Sequence, residues 1–283
     1  MSTFTIQDHL KTFEDQLVVT DTKVGKMVVY KNDTIVSTAL ALFGEYCDAE
    51  VQIMARYLTP ESLFVDIGTN IGYHALAINK LAGCKVLGFE PHPNHFVVAA
   101  LNCNDKEIQL MHSAVGNKNS NVLIQEFDPN SQGNFGGVSI TTKNKSKIEV
   151  KMVKLDDISL PLCNVIKIDV EGSELDVLKG ATNTINTFKP VILYEAIVLE
   201  EWVKCHKFLQ DKKYKQYWVA VKSKPIEKPY KEVVEEDPFG NTGVVNILAV
   251  PEESAQPDDL IDVVAGEDYP AMMDRVTKYR LVF

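Results

Sequence analysis

Hydrophobic positions between residues 63 and 83 form the clearest pattern in this chain. Residues 63–67, LFVDI, are a short and mostly apolar run, which predicts a strand buried on both faces. Apolar side chains then recur at helical spacing, at Ile71, Ala75, Ile78 and Ala82. Gly83 follows where such a helix would end. A strand, a glycine loop and a helix in this order are typical of the first βα unit of a doubly wound sheet.

The same alternation of strands and helices continues to about residue 250. Buried strands are predicted at 85–89, 108–114, 164–169, 190–195, 214–221 and 244–250. Helices are predicted at 92–104, 173–179 and 200–212. Residues 122–127 and 138–142 are interpreted as antiparallel strands, and residues 148–155 as a further strand. With 63–67, the pattern predicts an α/β protein with a doubly wound, seven-stranded, Rossmann-like sheet.

Three sections are expected along the chain. They are 1–61, an N-terminal cap section packing on the core; 62–250, the core; and 251–283, an acidic linker and C-terminal extension. In the first section we expect a hairpin of strands 27–30 and 34–37, followed by a helix within 45–58. The polar, proline-containing loop between the last two strands, with residues 241–244, is expected to overhang the ligand pocket. The apolar residues 279–283 are expected to dock on the core.

The loop after the first predicted strand carries candidate cofactor chemistry. Gly68 and Gly72 are spaced G-x-x-x-G, without the third glycine of a dinucleotide fingerprint, and no P-loop is present. Glycines let backbone approach a ligand closely, so Gly68→Val is expected to block binding and to leave the fold intact. Glu90 ends the second strand about one βα unit later, where an acid holds a ribose diol. Together with Asp66, these residues predict a nucleoside pocket, although any βα turn can use glycines.

Six segments in order resemble the FkbM-type S-adenosylmethionine-dependent methyltransferases. They are FVDIGTNIGY (64–73), GFEP (88–91), AVG (114–116), IKIDVEGSE (166–174), LKGA (178–181) and PVILYE (190–195). The resemblance covers about residues 45–250. It implies the Rossmann-like methyltransferase fold, S-adenosylmethionine as cofactor and transfer of a methyl group to a hydroxyl. The residues it assigns to cofactor binding are Asp66, Gly68, Asn70, Gly72, Tyr73, Glu90, Ser113 and Asp169.

Several carboxylates follow the fourth and fifth predicted core strands. Asp169, Glu171 and Glu195 are the candidate catalytic residues, because a hydroxyl nucleophile is helped by a general base or by a metal. A divalent cation on these oxygens is an alternative that we do not favour, since no histidine or clear ligand spacing supports a dedicated metal site. Capping is the competing explanation for Glu171 and Glu174, which lie beside a helix N-terminus.

Two further kinds of residue have less specific interpretations. His74, His92 and His95 are expected to serve packing or capping rather than catalysis. Glu45 belongs to a Gly-Glu pair that abuts the cofactor pocket in the family, but a solvated acid at a helix start is an equal alternative.

The acceptor is the least determined part of the predicted function. We expect a sugar hydroxyl, in a glycan or nucleotide-linked form, with a macrolide or polyketide hydroxyl as an alternative. Two other classes stay open. One is a non-catalytic relative that only binds S-adenosylmethionine, and the other is a nucleoside-binding oxidoreductase on the same fold. The missing third glycine argues against the oxidoreductase, and the carboxylate set argues against the non-catalytic relative.

Composition and net charge limit the classes of partner that the protein is expected to bind. The 283 residues carry a formal net charge of −10, which argues against phosphate-driven nucleic-acid binding and against an anionic membrane surface. No apolar run approaches the length of a membrane span, and residues 1–5 do not resemble a secretory signal. The five scattered cysteines fit reduced thiols, so a cytoplasmic location is expected. The pattern favours no oligomeric state.

Overall fold

The computed structural model of the protein describes residues 5–140, 147–196, 199–222, 230–231, 238–239 and 243–263. The strands are β1 (Leu17–Thr22), β2 (Gly25–Tyr30), β3 (Leu63–Ile67), β4 (Lys85–Phe89), β5 (Ile108–Met111), β6 (Ala114–Val115), β7 (Ser120–Gln125), β8 (Lys147–Val153), β9 (Val165–Ile168), β10 (Val191–Glu195), β11 (Tyr214–Lys222), β12 (Gly243–Pro251) and β13 (Ile261–Asp262). The α-helices are α1 (Ile6–Leu10), α2 (Val36–Phe43), α3 (Asp48–Ala55), α4 (Tyr73–Ala82), α5 (Pro93–Asn102), α6 (Glu174–Gly180), α7 (Thr182–Phe188) and α8 (Leu199–Gln210). Short 3-10 helices lie at Glu14–Gln16 and Leu155–Asp157.

The main sheet has the strand order β13-β11-β12-β10-β9-β3-β4-β5. Strands β10, β9, β3, β4 and β5 run parallel, whereas β12, β11 and β13 add antiparallel pairs. The predicted doubly wound, seven-stranded sheet is therefore confirmed, with the two-residue β13 as an eighth strand at its edge. Because the central strands are parallel, their carboxyl ends meet at one edge of the sheet, where such folds bind ligands.

Helices cover both faces of the sheet. Apolar side chains of α3, α4 and α5 pack with Phe64 on one face, and those of α6, α7 and α8 pack with Val65 and Ile67 on the other. The alternation along β3 follows from the two-residue period of a strand. Asp66 consequently lies on the same face as Phe64, beneath α3 and α4. An acid on a strand covered by helices must find compensating charge inside the protein.

The N-terminal hairpin differs from the prediction. It is formed by β1 and β2, while residues 34–35 form a turn and residues 36–37 begin α2 rather than a strand. The Asp33 carboxylate accepts hydrogen bonds from the backbone N–H groups of Ile35 and Ser37, at 3.3 and 2.6 Å. These bonds satisfy amides at the helix start, which favours a helical conformation for residues that otherwise suit a strand.

A second, three-stranded sheet also corrects the predicted pairing. Strand β7 pairs along its length with β8, and β6 pairs with the other edge of β8. The expected partner of β7, residues 138–142, contributes a single bridge between Ile124 and Ile140, and residues 141–142 lie outside the described part.

Ser173 is the N-cap residue of α6, as predicted, but its side chain makes no capping hydrogen bond.

Residues 251–263 pack on the core rather than extending as a linker. Pro251 still belongs to β12, and the Tyr217 hydroxyl donates to Gln256 Oε1 at 2.9 Å. Arg56 forms an ion pair with Asp259 at 2.8 Å. The predicted docking of residues 279–283 lies outside the described residues.

All five cysteines are buried free thiols. None of the helices in the described ranges combines the length and apolar composition that a bilayer crossing needs.

The glycine loop after β3 owes its sequence to the packing of the protein itself. Gly68 has φ +90°, and a Cβ at this position would collide with the backbone carbonyl of Asp169. Gly72 has φ +91°, and a Cβ there would lie 2.5 Å from Cys103 Sγ. The expectation that Gly68→Val spares the fold is therefore wrong, because the space that a side chain needs is already filled.

Gly68→Ala is predicted to destabilise the protein by about 1–3 kcal/mol more than Gly25→Ala, since overpacking adds to backbone strain. Gly25 is a matched control, because it also has positive φ, at +115°, but its Cβ would meet nothing within 4 Å. Free energies of unfolding from urea titration measure the difference. Equal losses for the two variants would mean that the Asp169 carbonyl moves aside freely.

Candidate active site

A cavity of about 270 Å³ opens at the carboxyl ends of β3, β4, β9 and β10. The predicted site residues that line it are Gly68, Asn70, Tyr73, Glu90, Ser113, Asp169, Glu171 and Glu195. Asp66 and Gly72 are not among its lining residues. Eight residues dispersed over 128 positions of sequence are thus brought to one cavity by the parallel strands, as the doubly wound topology requires.

Glu90 defines one end of the cavity. Its two carboxylate oxygens accept hydrogen bonds from the backbone N–H groups of Asn70 and His92, each at 2.8 Å. Burial raises the pKa of Glu90 to about 8, although these two amides act in the opposite direction. The remaining lone pairs are available to a ligand. Ser113 lies in the same cavity, and its buried hydroxyl has no hydrogen-bond partner in the described ranges of the chain.

Asp66 does not reach the cavity, which corrects its assignment as a direct cofactor contact. The side chain is completely buried, and within the part of the chain that the structure describes neither carboxylate oxygen has a hydrogen-bond partner. Burial raises the pKa of Asp66 to about 6, while the nearby Lys167 and His74 pull it down. Asp66 and Lys167 are paired in register across β3 and β9. Asp66 is therefore a buried countercharge beneath the cavity floor.

Lys167 is the cation of the site and was not anticipated from the sequence. It is 3% exposed, lines the cavity and donates to Asp169 Oδ2 at 2.7 Å. Burial alone would lower its pKa, but Asp169, Asp66 and Glu50 outweigh that effect and the net shift is upward. A lysine within the otherwise apolar run VIKI of β9 was the available signal.

Glu50 is a second residue that the sequence did not single out. It is 2% exposed on α3, and its Oε1 accepts a hydrogen bond from Asn246 Nδ2 at 2.8 Å. Its Oε2 lies 3.5 Å from His74 Nε2. Glu50 therefore connects the N-terminal section to β12 and to the first turn of α4. Glu45, by contrast, is buried beside Lys23 at 3.4 Å and does not line the cavity, so neither of its two interpretations holds.

Three carboxylates converge at the other end of the cavity. Oxygen atoms of Asp169, Glu171 and Glu195 all lie within 4.8 Å of one another, a spacing that one cation could bridge. Burial, and then the charges of Asp169 and Glu174, raise the pKa of Glu171 to about 7. Burial and the other three acids raise the pKa of Glu195 well above its ordinary value. Like charges held this close cannot all ionise together.

The capping explanation applies to Glu174 and not to Glu171. Glu174 is buried, and its Oε1 accepts a hydrogen bond from the backbone N–H of Gly172 at 3.0 Å. Glu171 instead lines the cavity and has φ +56°, an uncommon conformation for a residue with a side chain. Such strain persists only where the surroundings hold the residue in place, and it is concentrated at functional sites.

The roof of the cavity comes from segments outside the parallel core. Its described members are Ile35, Val36, Asn134, Gly136, Val138, Ile140, Gly243 and Val244. The backbone N–H of Phe135 donates to Asp33 Oδ1 at 3.2 Å, which fixes the roof loop to the N-terminal section. The predicted overhang of residues 241–244 is represented by Gly243 and Val244, whereas residues 241–242 lie outside the described part.

The histidines divide between two roles. His92 caps α5, because its Nδ1 accepts a hydrogen bond from the backbone N–H of Asn94 at 3.2 Å. His74 and His95 line the cavity, so the expectation that all three serve only packing or capping is too narrow.

Comparison with known proteins agrees with this architecture. The model of the family described as the methyltransferase FkbM domain matches residues 66–215. This chain belongs to the FkbM methyltransferase family. The matched residues include Glu90 and the three carboxylates, but not the roof residues Ile35 and Val36.

Individual relatives are distant. Hexuronic acid methyltransferase AglP of Haloferax volcanii is 29% identical over 147 residues, which are 50% of this chain and 59% of AglP. Methyltransferase 1 of Beauveria bassiana is 27% identical over 146 residues, 42% of this chain and 58% of that protein. This chain thus spans less than two thirds of each curated relative. The crystal structure of methyltransferase FkbM from Methylobacillus flagellatus aligns with a TM-score of 0.43 at 17% identity, over 68% of this chain and 44% of that one.

The stability of the protein without ligand is predicted to fall by about 1–3 kcal/mol between pH 6 and pH 9. Glu171 and Glu90 have pKa values raised to about 7 and 8 by burial. A raised pKa in the folded state favours the protonated form, so stability is present at low pH and is lost as pH rises through the folded value. Chemical denaturation in the presence of a chelator measures this dependence.

Glu195→Gln is expected to make the fall shallower, because it removes an acid whose pKa burial and its neighbours raise. The exposed Glu200 provides the control, since Glu200→Gln should leave the wild-type dependence in place. A dependence that is the same in all three proteins would contradict the electrostatic description of the cluster.

Proposed function

We propose that this protein is an S-adenosylmethionine-dependent O-methyltransferase that acts on a sugar hydroxyl, in a glycan or nucleotide-linked form. The observation that carries the proposal is one cavity with Glu90 at one end and a carboxylate cluster at the other, in a chain of the FkbM methyltransferase family. An acid at the end of the second strand suits a ribose diol, and carboxylates suit the activation of a hydroxyl.

The three carboxylates are given different roles by their surroundings. Glu171, with a pKa near 7, is suited to accept the proton of the acceptor hydroxyl at neutral pH. Glu195 retains its proton there and can donate a hydrogen bond to the acceptor. Asp169 stays paired with Lys167 and bounds the position of the cofactor's reactive end. The bound cofactor supplies an activated methyl group, and the cavity aligns the acceptor hydroxyl with it.

A sugar acceptor is supported by two features. AglP is named for methylation of a hexuronic acid, and it resembles half of this chain. The clustered carboxyl groups at the end of the cavity opposite Glu90 offer several hydrogen-bond acceptors, which match the adjacent hydroxyls of a sugar ring.

A divalent cation is the second candidate for activating the hydroxyl. Asp169, Glu171 and Glu195 would hold it, because hard cations prefer oxygen ligands and the three donors are close enough. It would supply a positive charge that lowers the pKa of a coordinated hydroxyl. We favour the metal-free base, since no described histidine or cysteine completes the cluster.

Glu90→Gln is predicted to weaken binding of S-adenosylhomocysteine at pH 9, above the pKa of Glu90, by about 1.5–3 kcal/mol, the range for hydrogen bonds to a charged group. Calorimetry of the wild type and the variant gives the difference. Glu61→Gln, at an exposed position, is the control and should bind as the wild type does. An unchanged dissociation constant for Glu90→Gln would remove Glu90 from the cofactor site.

The reaction itself is tested by transfer of labelled methyl from S-adenosylmethionine to a panel of sugar and nucleotide-sugar acceptors. Glu171→Gln should lower turnover by roughly 10²–10⁴-fold while cofactor affinity holds, as expected for loss of a general base. Asp169→Asn and Glu195→Gln extend the test to the rest of the cluster. Each protein is assayed with and without a chelator and with added Mg²⁺ or Mn²⁺.

The outcomes separate the mechanisms. Activity that is lost in chelator and restored by the metal would replace the base with a cation. Near-native turnover in all three variants, unaffected by chelator, would mean that the cluster has no catalytic role. Cofactor binding without methyl transfer to any acceptor class would favour the non-catalytic alternative.

A further inference from the structure

His95 carries a hydrogen-bonding atom that the fold itself does not use. The residue lies in the first turn of α5, is 2% exposed and lines the cavity. Its Nε2 lies 2.9 Å from the backbone carbonyl oxygen of Phe135. Its other ring nitrogen, Nδ1, is buried and has no hydrogen-bond partner among the described residues. A buried polar atom left unpaired costs free energy, so it points to a partner that arrives with a ligand.

The neighbours of His95 determine the tautomer of the ring. A carbonyl oxygen can only accept a hydrogen bond, so Nε2 must carry the proton and donate to Phe135. Burial lowers the pKa of His95 to about 4, which leaves the ring neutral at physiological pH. Nδ1 therefore presents a lone pair. It can accept a hydrogen bond, and it cannot donate one.

The position of His95 selects which part of the ligand supplies the donor. The His92 ring lies 5.3 Å from the His95 ring, centroid to centroid, and the His92 backbone N–H donates to Glu90 Oε1 at 2.8 Å. The backbone N–H of Asn70 donates to Glu90. The Asn70 side chain lies against Gly136 of the roof loop, since a Cβ added at Gly136 would lie 3.1 Å from its amide nitrogen. His95 is thus on the Glu90 side of the cavity, where the ribose is expected, and not among the carboxylates.

We propose that His95 Nδ1 accepts a hydrogen bond from a ribose hydroxyl of the cofactor, and so shares recognition of the ribose with Glu90. The inference rests on the proposed use of S-adenosylmethionine. It makes the roof part of the binding site, because the His95 ring that contacts the ribose is oriented by the carbonyl of Phe135. Phe135 is in turn held by Asp33 of the N-terminal section.

The test couples a change in the protein to a change in the ligand. The probes are S-adenosylhomocysteine and its 2′-deoxy and 3′-deoxy analogues, with affinities measured by calorimetry. We expect the wild type to bind one deoxy analogue about tenfold more weakly, a loss of the order of one hydrogen bond. His95→Phe keeps an aromatic ring packed against Tyr30. In this variant the affinity for S-adenosylhomocysteine should fall, and the loss of affinity caused by the deoxy substitution should shrink.

Two further variants show whether the coupling between the His95 change and the ribose change is specific to His95. His95→Gln keeps a donor for Phe135 and an acceptor for the ribose, so it should recover most of the discrimination. Ser113→Ala removes a different unpaired cavity group, and its effect should add to that of the ribose deletion without coupling to it. An equal penalty for the deoxy analogues in wild type and His95→Phe would overturn the assignment. Coupling of His95 to a purine analogue without the 6-amino group would overturn it as well, in favour of an adenine contact.

A spectroscopic readout in the wild type covers the case in which His95→Phe does not fold. The unprotonated Nδ1 of His95 should shift in ¹⁵N spectra when S-adenosylhomocysteine binds, and should shift less with the discriminating deoxy analogue. An unmoved Nδ1 resonance in the saturated complex would contradict the inference. Failure of the wild type to bind S-adenosylhomocysteine would instead reject the proposed cofactor, so the two failures are distinguishable.

Discussion

The buried ion pairing of Lys167 is the interaction on which the rest of the site depends. A lysine placed in the centre of a parallel sheet would be strongly unfavourable without compensation, because charge is costly to remove from water. Asp169 provides that compensation directly, at 2.7 Å, and Asp66 provides it from the adjacent strand. The register between β3 and β9 therefore also places the Asp66 carboxylate beside the Lys167 ammonium group. A slip by one residue would leave Asp66 and Lys167 unpaired in the core.

This pairing connects the floor of the cavity to its chemistry. Lys167 balances Asp169, while Glu171 and Glu195 lie nearby without a cation of their own among the described residues. Burial, followed by repulsion from neighbouring acids, raises the pKa values of Glu171 and Glu195, and Lys167 offsets only part of this rise. The protonation pattern that we propose for catalysis thus follows from burial and from acids that outnumber the cation beside them.

The N-terminal section is a structural part of the cavity rather than an appendage to the core. Asp33 caps α2 and also holds Phe135 of the roof loop, and Glu50 bonds to Asn246 of β12. Asp33, Glu50 and Asn246 lie outside the stretch that matches the FkbM domain, residues 66–215, whereas Phe135 lies within it. The family match therefore covers Glu90 and the three carboxylates, whereas part of the roof lies in segments beyond it.

The sequence by itself determined the parallel core, Glu90 and the carboxylate set, because each follows from periodicity or from a residue at a strand end. Hydrophobic runs of five or six residues identify buried strands without knowledge of their neighbours. The tertiary structure decided what each polar residue touches. Asp66 faces α3 and α4 instead of the cavity, and Gly68 makes room for the carbonyl of Asp169. Lys167, Glu50 and His95 interact with partners on distant segments. The start of α2 depends on the Asp33 carboxylate, which accepts the amides of Ile35 and Ser37. Burial and charge pairing depend on distances between segments, and local spacing along the chain does not encode them.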